Sequence, residues 1–128
     1  KMSYIIICGL LWDDKRFQDA LSISFNFIHQ FHGDRVMGAF LLGNTYFRIG
    51  DFHKSLENGL QIIEMDNSHL EGRILVAISY HCLGDLKSAD KQFKILESDP
   101  RTAKDIVELK NELDEICREA RESRLLFL

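Results

Sequence analysis

The side chains that could do chemistry in this sequence are few and widely separated. His29 and His32 are three residues apart, a spacing that on a helix lets two imidazoles share a metal ion, but no third ligand lies near them. His81 and Cys82 resemble a base beside a nucleophile, yet adjacent residues on a helix point in different directions. The Asp13-Asp14 pair is better explained as a turn with helix-capping groups than as paired catalytic carboxylates. We therefore expect no metal ion and no catalytic pair.

The sequence also lacks the motifs that mark common enzyme classes. It contains no glycine-rich dinucleotide or phosphate-binding loop, no His-Glu-x-x-His and no Gly-x-Ser-x-Gly. Its 128 residues, 45% hydrophobic and 28% charged, are those of one ordinary soluble domain. A formal net charge of −4 provides no basic field for nucleic acid. The expectation is a protein that is not an enzyme, binds no cofactor and has no nucleic-acid partner.

Residues 39–60 predict two helices joined by a tight turn. Apolar and small side chains at positions 39, 42, 43 and 46 follow the three- and four-residue spacing of one helix face. Gly50 can take the left-handed backbone conformation that ends a helix. Asp51 can then cap the following helix with its carboxylate, and a second amphipathic run starts at Phe52.

This helix-turn-helix pattern recurs along the chain with an offset of 34 residues. The matching residues are Gly43, Tyr46, Gly50, Asp51, Phe52, Ser55 and Gly59 in one copy and Ala77, Tyr80, Gly84, Asp85, Leu86, Ala89 and Phe93 in the next. Phe17 and Ala20 lie 35 residues before Phe52 and Ser55 and indicate a first, weaker copy. The sequence therefore predicts an internal helical repeat.

A 34-residue helical hairpin with this signature resembles the tetratricopeptide repeat (TPR) family. The resemblance is carried by Leu42, Gly43, Tyr46, Gly50, Asp51, Phe52 and Ser55, and then by Tyr80, Gly84, Asp85, Ala89, Phe93 and the closing Asp99-Pro100. Gly59, Asn67 and Arg73 depart from the family pattern. The resemblance implies an all-α fold, a right-handed superhelix of about three repeats in one domain, residues 1–128. The repeats would occupy residues 1–35, 36–69 and 70–103, followed by a capping helix at about 100–124.

Local signals indicate where individual helices begin. Ser68 to Glu71 form a capping box that predicts the start of a helix, and Gly33-Asp34 repeats the stop-and-cap pair of Gly50-Asp51. Asp99-Pro100 predicts an N-cap with proline in the first turn of the last helix. Within that helix one apolar seam, suited to covering the last repeat, is made by Ile106, Leu109, Leu113, Ile116 and Ala120.

The cysteines and the first apolar run bear on the compartment. Cys8, Cys82 and Cys117 are far apart, without a Cys-x-x-Cys pair, which argues against a zinc site or a disulfide framework. We therefore expect a reducing, cytoplasmic setting. Residues 4–12 are apolar but shorter than the roughly 20 residues of a membrane span. A signal peptide is the alternative, although no small-residue cleavage site follows, and a buried first helix is preferred.

In the TPR family the first helix of each repeat lines a concave groove, so matching positions propose a partner-binding surface. The proposed groove residues are Ile5, Met37, Phe40, Leu41, Asn44, Phe47, Arg48, Ile74, Leu75 and Ile78. Matching positions also hold Met2, Ile6, Gly9, Trp12, Glu71 and His81. Such an apolar groove implies a non-catalytic scaffold or chaperone that binds an amphipathic helix or apolar segment of a protein partner. The alternative is that several of these residues belong to the core.

A second hypothesis starts from the two ends of the sequence. Stacked repeats usually carry polar terminal faces, but here the first helix is apolar all round and the chain finishes Leu125-Leu126-Phe127-Leu128. Either the chain is a piece of a longer array, or these surfaces meet another copy of it as a homodimer. TPR subunits of large assemblies such as the cyclosome self-associate in this way, and the small three-repeat chaperones of type III secretion share the layout.

Overall fold

The computed structural model describes residues 1–127, and within them every regular element is an α-helix. The all-α prediction is therefore confirmed, and neighbouring helices pack against one another along the chain. The seven helices of this range are α1 (Met2–Asp13), α2 (Phe17–Gln30), α3 (Arg35–Ile49), α4 (Phe52–Met65), α5 (Leu70–Cys82), α6 (Leu86–Glu97) and α7 (Ala103–Phe127). Leu128, the last residue of the apolar tail noted above, lies outside the described residues.

Left-handed residues make the turns between α1 and α2, α3 and α4, and α5 and α6. Gly50 has a φ of 89° and Gly84 a φ of 85°, as the glycine pattern predicts. Among residues 1–127, one residue other than glycine has a positive φ. It is Lys15, with a φ of 58°, and it lies 35 residues before Gly50. The same backbone conformation thus recurs at the repeat offset, including in the weak first copy. Gly33, in contrast, has no positive φ, so the prediction that it ends a helix as Gly50 does is wrong.

Aspartate caps begin three of the helices. The carboxylate of Asp34 accepts a hydrogen bond from the Met37 N–H at 3.2 Å, and Asp51 accepts one from Lys54 at 3.3 Å. Asp85 repeats the arrangement at the start of α6. Each carboxylate satisfies an amide that has no partner inside its helix, which is why these positions start helices.

Two predicted helix starts are wrong, because nearby groups compete for the same hydrogen bonds. The Ser68 hydroxyl donates to Asp66 instead of capping α5, and His69 caps that helix by accepting from the Gly72 N–H at 2.9 Å. Asp99 accepts a hydrogen bond from the Arg101 N–H within a turn. The last helix consequently begins at Ala103, three residues after the predicted start.

The three departures from the repeat pattern have packing explanations. A Cβ at Gly59 would lie 2.8 Å from Cγ2 of Val76, so only glycine lets α4 approach α5 this closely. Arg73 is 8% exposed. Its guanidinium donates to the backbone carbonyl and the side-chain oxygen of Asn67 and to the side-chain oxygen of Gln92. Arg73 and Asn67 therefore compensate each other, and they tie α5 to the preceding loop and to α6.

Helix α7 folds back across the earlier helices and contacts α6, α5 and α3. Lys110 pairs with Glu97 of α6, Arg121 donates to the carbonyl of Cys82 at 2.9 Å, and Arg124 lies 3.7 Å from Asp51. The prediction that this helix covers only the last repeat is therefore too narrow. Its seam residues join one core with residues of α3, α4, α5 and α6, and this core includes Phe47, Phe52, Leu75, Phe93, Ile106, Leu113 and Ala120.

Cys82 and Cys117 form a disulfide bond between α5 and α7, with their Cα atoms 5.6 Å apart. The expectation of no disulfide is wrong for this pair, because α7 returns to the end of α5 and brings together cysteines 35 residues apart in sequence. Cys8 remains a free, buried thiol. Because the cytoplasmic expectation depended on reduced cysteines, this pair removes its main support.

Candidate protein-binding surface

A recess of about 320 Å³ opens where α1, α2, α3, α5 and α7 meet. We call it the α7 recess, because α7 supplies one of its walls. It is lined by Trp12, Lys15, Phe17, Asn44, Phe47, Arg48, Ile78, Ile116, Glu119, Ala120 and Ser123. The lining is mainly apolar and aromatic, with charged groups of both signs, a composition typical of surfaces that bind other molecules.

Trp12 is fixed at the edge of the α7 recess by a hydrogen bond to α3. Its indole N–H donates to the hydroxyl of Thr45 at 2.8 Å, and that buried hydroxyl donates to the carbonyl of Leu41. A half-buried tryptophan whose polar atom is satisfied presents a rigid apolar surface. The end of α1 is thus positioned by the middle of α3.

Arg48 stacks on this tryptophan, with its guanidinium carbon 4.9 Å from the ring centroid. Partial desolvation lowers the pKa of Arg48 from its usual value, while the nearby carboxylate of Asp13 opposes that shift. An arginine stays protonated in proteins, so the recess carries a positive charge on an aromatic support. Such a group can pair with an acidic side chain of a bound segment.

Three of the ten predicted groove residues are core residues instead. Leu41 is fully buried and packs with Cys8 and Phe27, so the helices α1 and α2 cover it. Leu75 and Phe47 are 2% and 6% exposed and belong to the core that α7 completes. Their exposure was overestimated because the sequence does not show the path of α7. Of the three, only Phe47 reaches the lining of the recess.

The other seven predicted residues are divided among three places. Asn44, Arg48 and Ile78 line the α7 recess together with Phe47. Three half-buried side chains, Ile5, Met37 and Phe40, pack against the core near Phe27, and Ile74 packs against the core that α7 completes. The structure thus brings four of the ten residues together at one recess.

Sequence reasoning missed the wall that α7 contributes to this recess. Ile116 and Ala120 were assigned to a seam covering the last repeat, and Glu119 and Ser123 were not proposed as binding residues. Phe17 was identified as a position of the first repeat copy and not as a binding residue. The one available signal was the length of the apolar seam, which continues past what a single neighbouring helix needs.

The residues considered for chemistry do not form a site. Cys82 is oxidised in the disulfide and so cannot act as a nucleophile, and Nε2 of His81 lies 3.2 Å from the Asp114 carboxylate. His29 and His32 are exposed. Burial raises the pKa of the Cys8 thiol, which disfavours the reactive thiolate. Across residues 1–127, no cluster of three or more His, Cys, Asp or Glu side chains is arranged to hold a metal ion.

Comparison of the chain with protein-family models, with curated proteins and with solved structures finds no match in any of the three. None of the helices in residues 1–127 combines the length and the apolar character needed to cross a membrane.

Proposed function

We propose that the chain is a non-catalytic protein-interaction module, a TPR-type array that binds a partner segment at the α7 recess. The observation that carries the proposal is the recess itself, an apolar floor between five helices with Arg48 stacked on Trp12. The recurrence of left-handed residues at 15, 50 and 84 supports an array of three helical hairpins.

The chemistry of the recess defines the segment that would fit. Its volume lies at the lower end of the roughly 300–1,000 Å³ of ligand pockets, so it accepts side chains rather than a whole helix. Phe47, Ile78 and Ile116 favour apolar anchors, and Arg48 favours an acidic residue beside them. We infer an amphipathic helix that lays one face on the recess, with an acidic residue close to its apolar anchors.

Peptide display tests this proposal. A library of helical peptides is selected against the chain, and the affinity of the selected peptides is then measured by fluorescence anisotropy. Arg48→Glu and Ile78→Ala should each weaken binding about tenfold or more, since each removes a contact at the recess. Val107→Glu is the matched control, because Val107 is exposed on α7 away from the recess.

Two outcomes would contradict the proposal. One is a selection that enriches no peptide, and the other is a set of peptides whose affinity is unchanged by both recess variants. Circular dichroism of each variant separates a lost contact from lost folding, since Arg48 is exposed and its replacement should leave the helix content unchanged.

A further inference from the structure

Thr45 is a fully buried residue of α3 that holds a residue of the α7 recess without lining the recess itself. Its hydroxyl accepts a hydrogen bond from the indole N–H of Trp12 at 2.8 Å and donates one to the Leu41 carbonyl at 2.8 Å. The second hydrogen bond fixes the hydroxyl to the backbone of α3. The indole is therefore tied to a helix in the interior and not to a mobile surface group.

The internal repeat shows that the Thr45 hydroxyl has a different kind of partner from its counterpart. The offset of 34 places Thr45 at the position of Ser79 in α5, which is also fully buried. The Ser79 hydroxyl is hydrogen-bonded at 2.7 Å to Ser55 of α4, the preceding helix. The offset of 35 places Ala20 of α2 at the position of Ser55, and alanine offers no hydroxyl. In α3 the hydroxyl binds Trp12 of α1 instead.

Trp12 in turn supports Arg48. The guanidinium carbon of Arg48 lies 4.9 Å from the centroid of the indole ring, so the orientation of the ring determines where this charge lies. A stacked guanidinium keeps its N–H donors at its edge, where two of them can bind the two oxygens of one carboxylate. Asp13 attracts the charge from nearby, but among residues 1–127 no carboxylate is hydrogen-bonded to it. The edge of Arg48 is thus available to a carboxylate of a bound segment.

We propose that Thr45 is a positioning residue and that, through Trp12 and Arg48, it makes the α7 recess selective for a partner segment with an aspartate or glutamate side chain. The inference rests on the proposed function, because it concerns binding at the same recess. It adds that selectivity depends on a buried residue that does not touch the partner.

The physical basis of this selectivity is preorganisation. A long arginine side chain loses rotamer freedom when it binds a carboxylate, and stacking on a fixed indole removes part of that loss before the partner arrives. Without the Thr45 hydroxyl the indole can turn, and Arg48 loses its fixed support. The carboxylate is then bound by a mobile charge, so it contributes less to affinity.

The single tryptophan of the sequence makes the position of Trp12 measurable in the free chain. Thr45→Val replaces the hydroxyl with a methyl group of similar size. This variant should weaken the near-ultraviolet circular dichroism band of the indole and raise the quenching of its fluorescence by acrylamide, because the ring is no longer fixed. Thr45→Ser keeps a hydroxyl at this position and should keep both signals close to those of the native chain.

Ser79→Ala is the matched control, because it removes a buried hydroxyl from the equivalent repeat position of α5. It should destabilise the chain, as Thr45→Val does, but leave both Trp12 signals unchanged. Far-ultraviolet circular dichroism and urea unfolding verify that each variant is folded under the conditions of the measurement. A change in the Trp12 signals is thereby separated from a general loss of stability.

Selectivity is measured by fluorescence anisotropy with a selected peptide that carries a glutamate and with the same peptide carrying glutamine instead. The native chain should bind the glutamate peptide about tenfold more tightly, since only the carboxylate pairs with the charge of Arg48. In Thr45→Val this preference should fall to about twofold, because the loss of one net hydrogen bond corresponds to about fivefold. Thr45→Ser and Ser79→Ala should keep the native preference.

A second substitution shows whether Thr45 acts through the indole. Trp12→Phe has no N–H for the hydroxyl to hold, so adding Thr45→Val to it should not lower the glutamate preference further. A further fall in the double variant would show that Thr45 affects the recess by another route, which would contradict its positioning role.

Three other results would overturn the inference. Unchanged Trp12 signals in Thr45→Val would show that the hydroxyl does not hold the indole, and an unchanged glutamate preference would show that the indole does not position Arg48. The same loss of preference in Ser79→Ala would show a general loosening of the fold. A selection that enriches no peptide contradicts the proposed function and with it the selectivity, whereas these three results contradict only the inference.

Discussion

The disulfide between Cys82 and Cys117 provides the sharpest test of the fold. Its reduction should lower the free energy of unfolding of the chain, because the bond closes a loop of 35 residues in the unfolded state. The loop-closure relation gives about 4 kcal/mol for a loop of this length at 25 °C. Both cysteines are buried, 6% and 2% exposed, and two thiols are tolerated in an apolar core, so most of the loss should come from the unfolded state.

Urea unfolding followed by circular dichroism measures this loss. The oxidised chain is compared with the chain in reductant and with the double variant Cys82→Ala, Cys117→Ala. The reduced chain and the double variant should be destabilised similarly, and reductant should have no effect on the double variant. Helix α7 should stay folded in both, because Ile106, Leu113 and Ala120 remain buried against α3, α5 and α6.

The reasoning would be refuted by a change of less than about 1 kcal/mol on reduction, since that is well below the loop-closure estimate. It would also be refuted by thiol counting. The denatured, oxidised chain should contain one free thiol, that of Cys8, and three free thiols would show that the pair does not form.

Two further predictions concern the turns and caps. Gly50→Ala should destabilise the chain more than Gly84→Ala in thermal unfolding. Both glycines have a left-handed φ, which costs an alanine about 1 kcal/mol. Only at Gly50 would the new Cβ also clash, because it would lie 2.5 Å from the carbonyl oxygen of Ala120. Equal losses would argue against this packing of α7. Hydrogen bonding to the Met37 amide lowers the pKa of Asp34 in the folded chain. The ionised Asp34 carboxylate therefore stabilises the fold above the unfolded pKa of about 3.9, and this stabilisation is lost as the pH falls through the lower folded pKa. The stability difference between the chain and Asp34→Asn should thus shrink in acid, and a difference independent of pH between 2 and 6, roughly, would contradict the assignment.

The sequence by itself determined the features that depend on neighbouring residues. Helix periodicity, the left-handed glycines at 50 and 84 and the aspartate caps follow from interactions within one or two turns, and the structure has them where the pattern predicts. The failures at this level, at Ser68 and Asp99, have the same origin. Other local hydrogen-bonding partners, Asp66 and the Arg101 amide, satisfy those groups first.

The candidate site was predicted only in part, because burial on a first helix depends on what packs on both of its sides. Asn44, Arg48 and Ile78 line the α7 recess, whereas Leu41 and Leu75 belong to the core. All five have the spacing expected of a surface face, and periodicity cannot distinguish a face covered by a partner from one covered by the same chain.

Only the tertiary structure decided the path of α7, and three results follow from that path. It makes one wall of the recess, it pairs Cys82 with Cys117, and it covers the outer face of α6 while α1 stays uncovered. The physical reason is that an apolar seam specifies that a helix must be buried, but not against which neighbours. That choice is made by contacts between residues far apart in the chain, which no local pattern records.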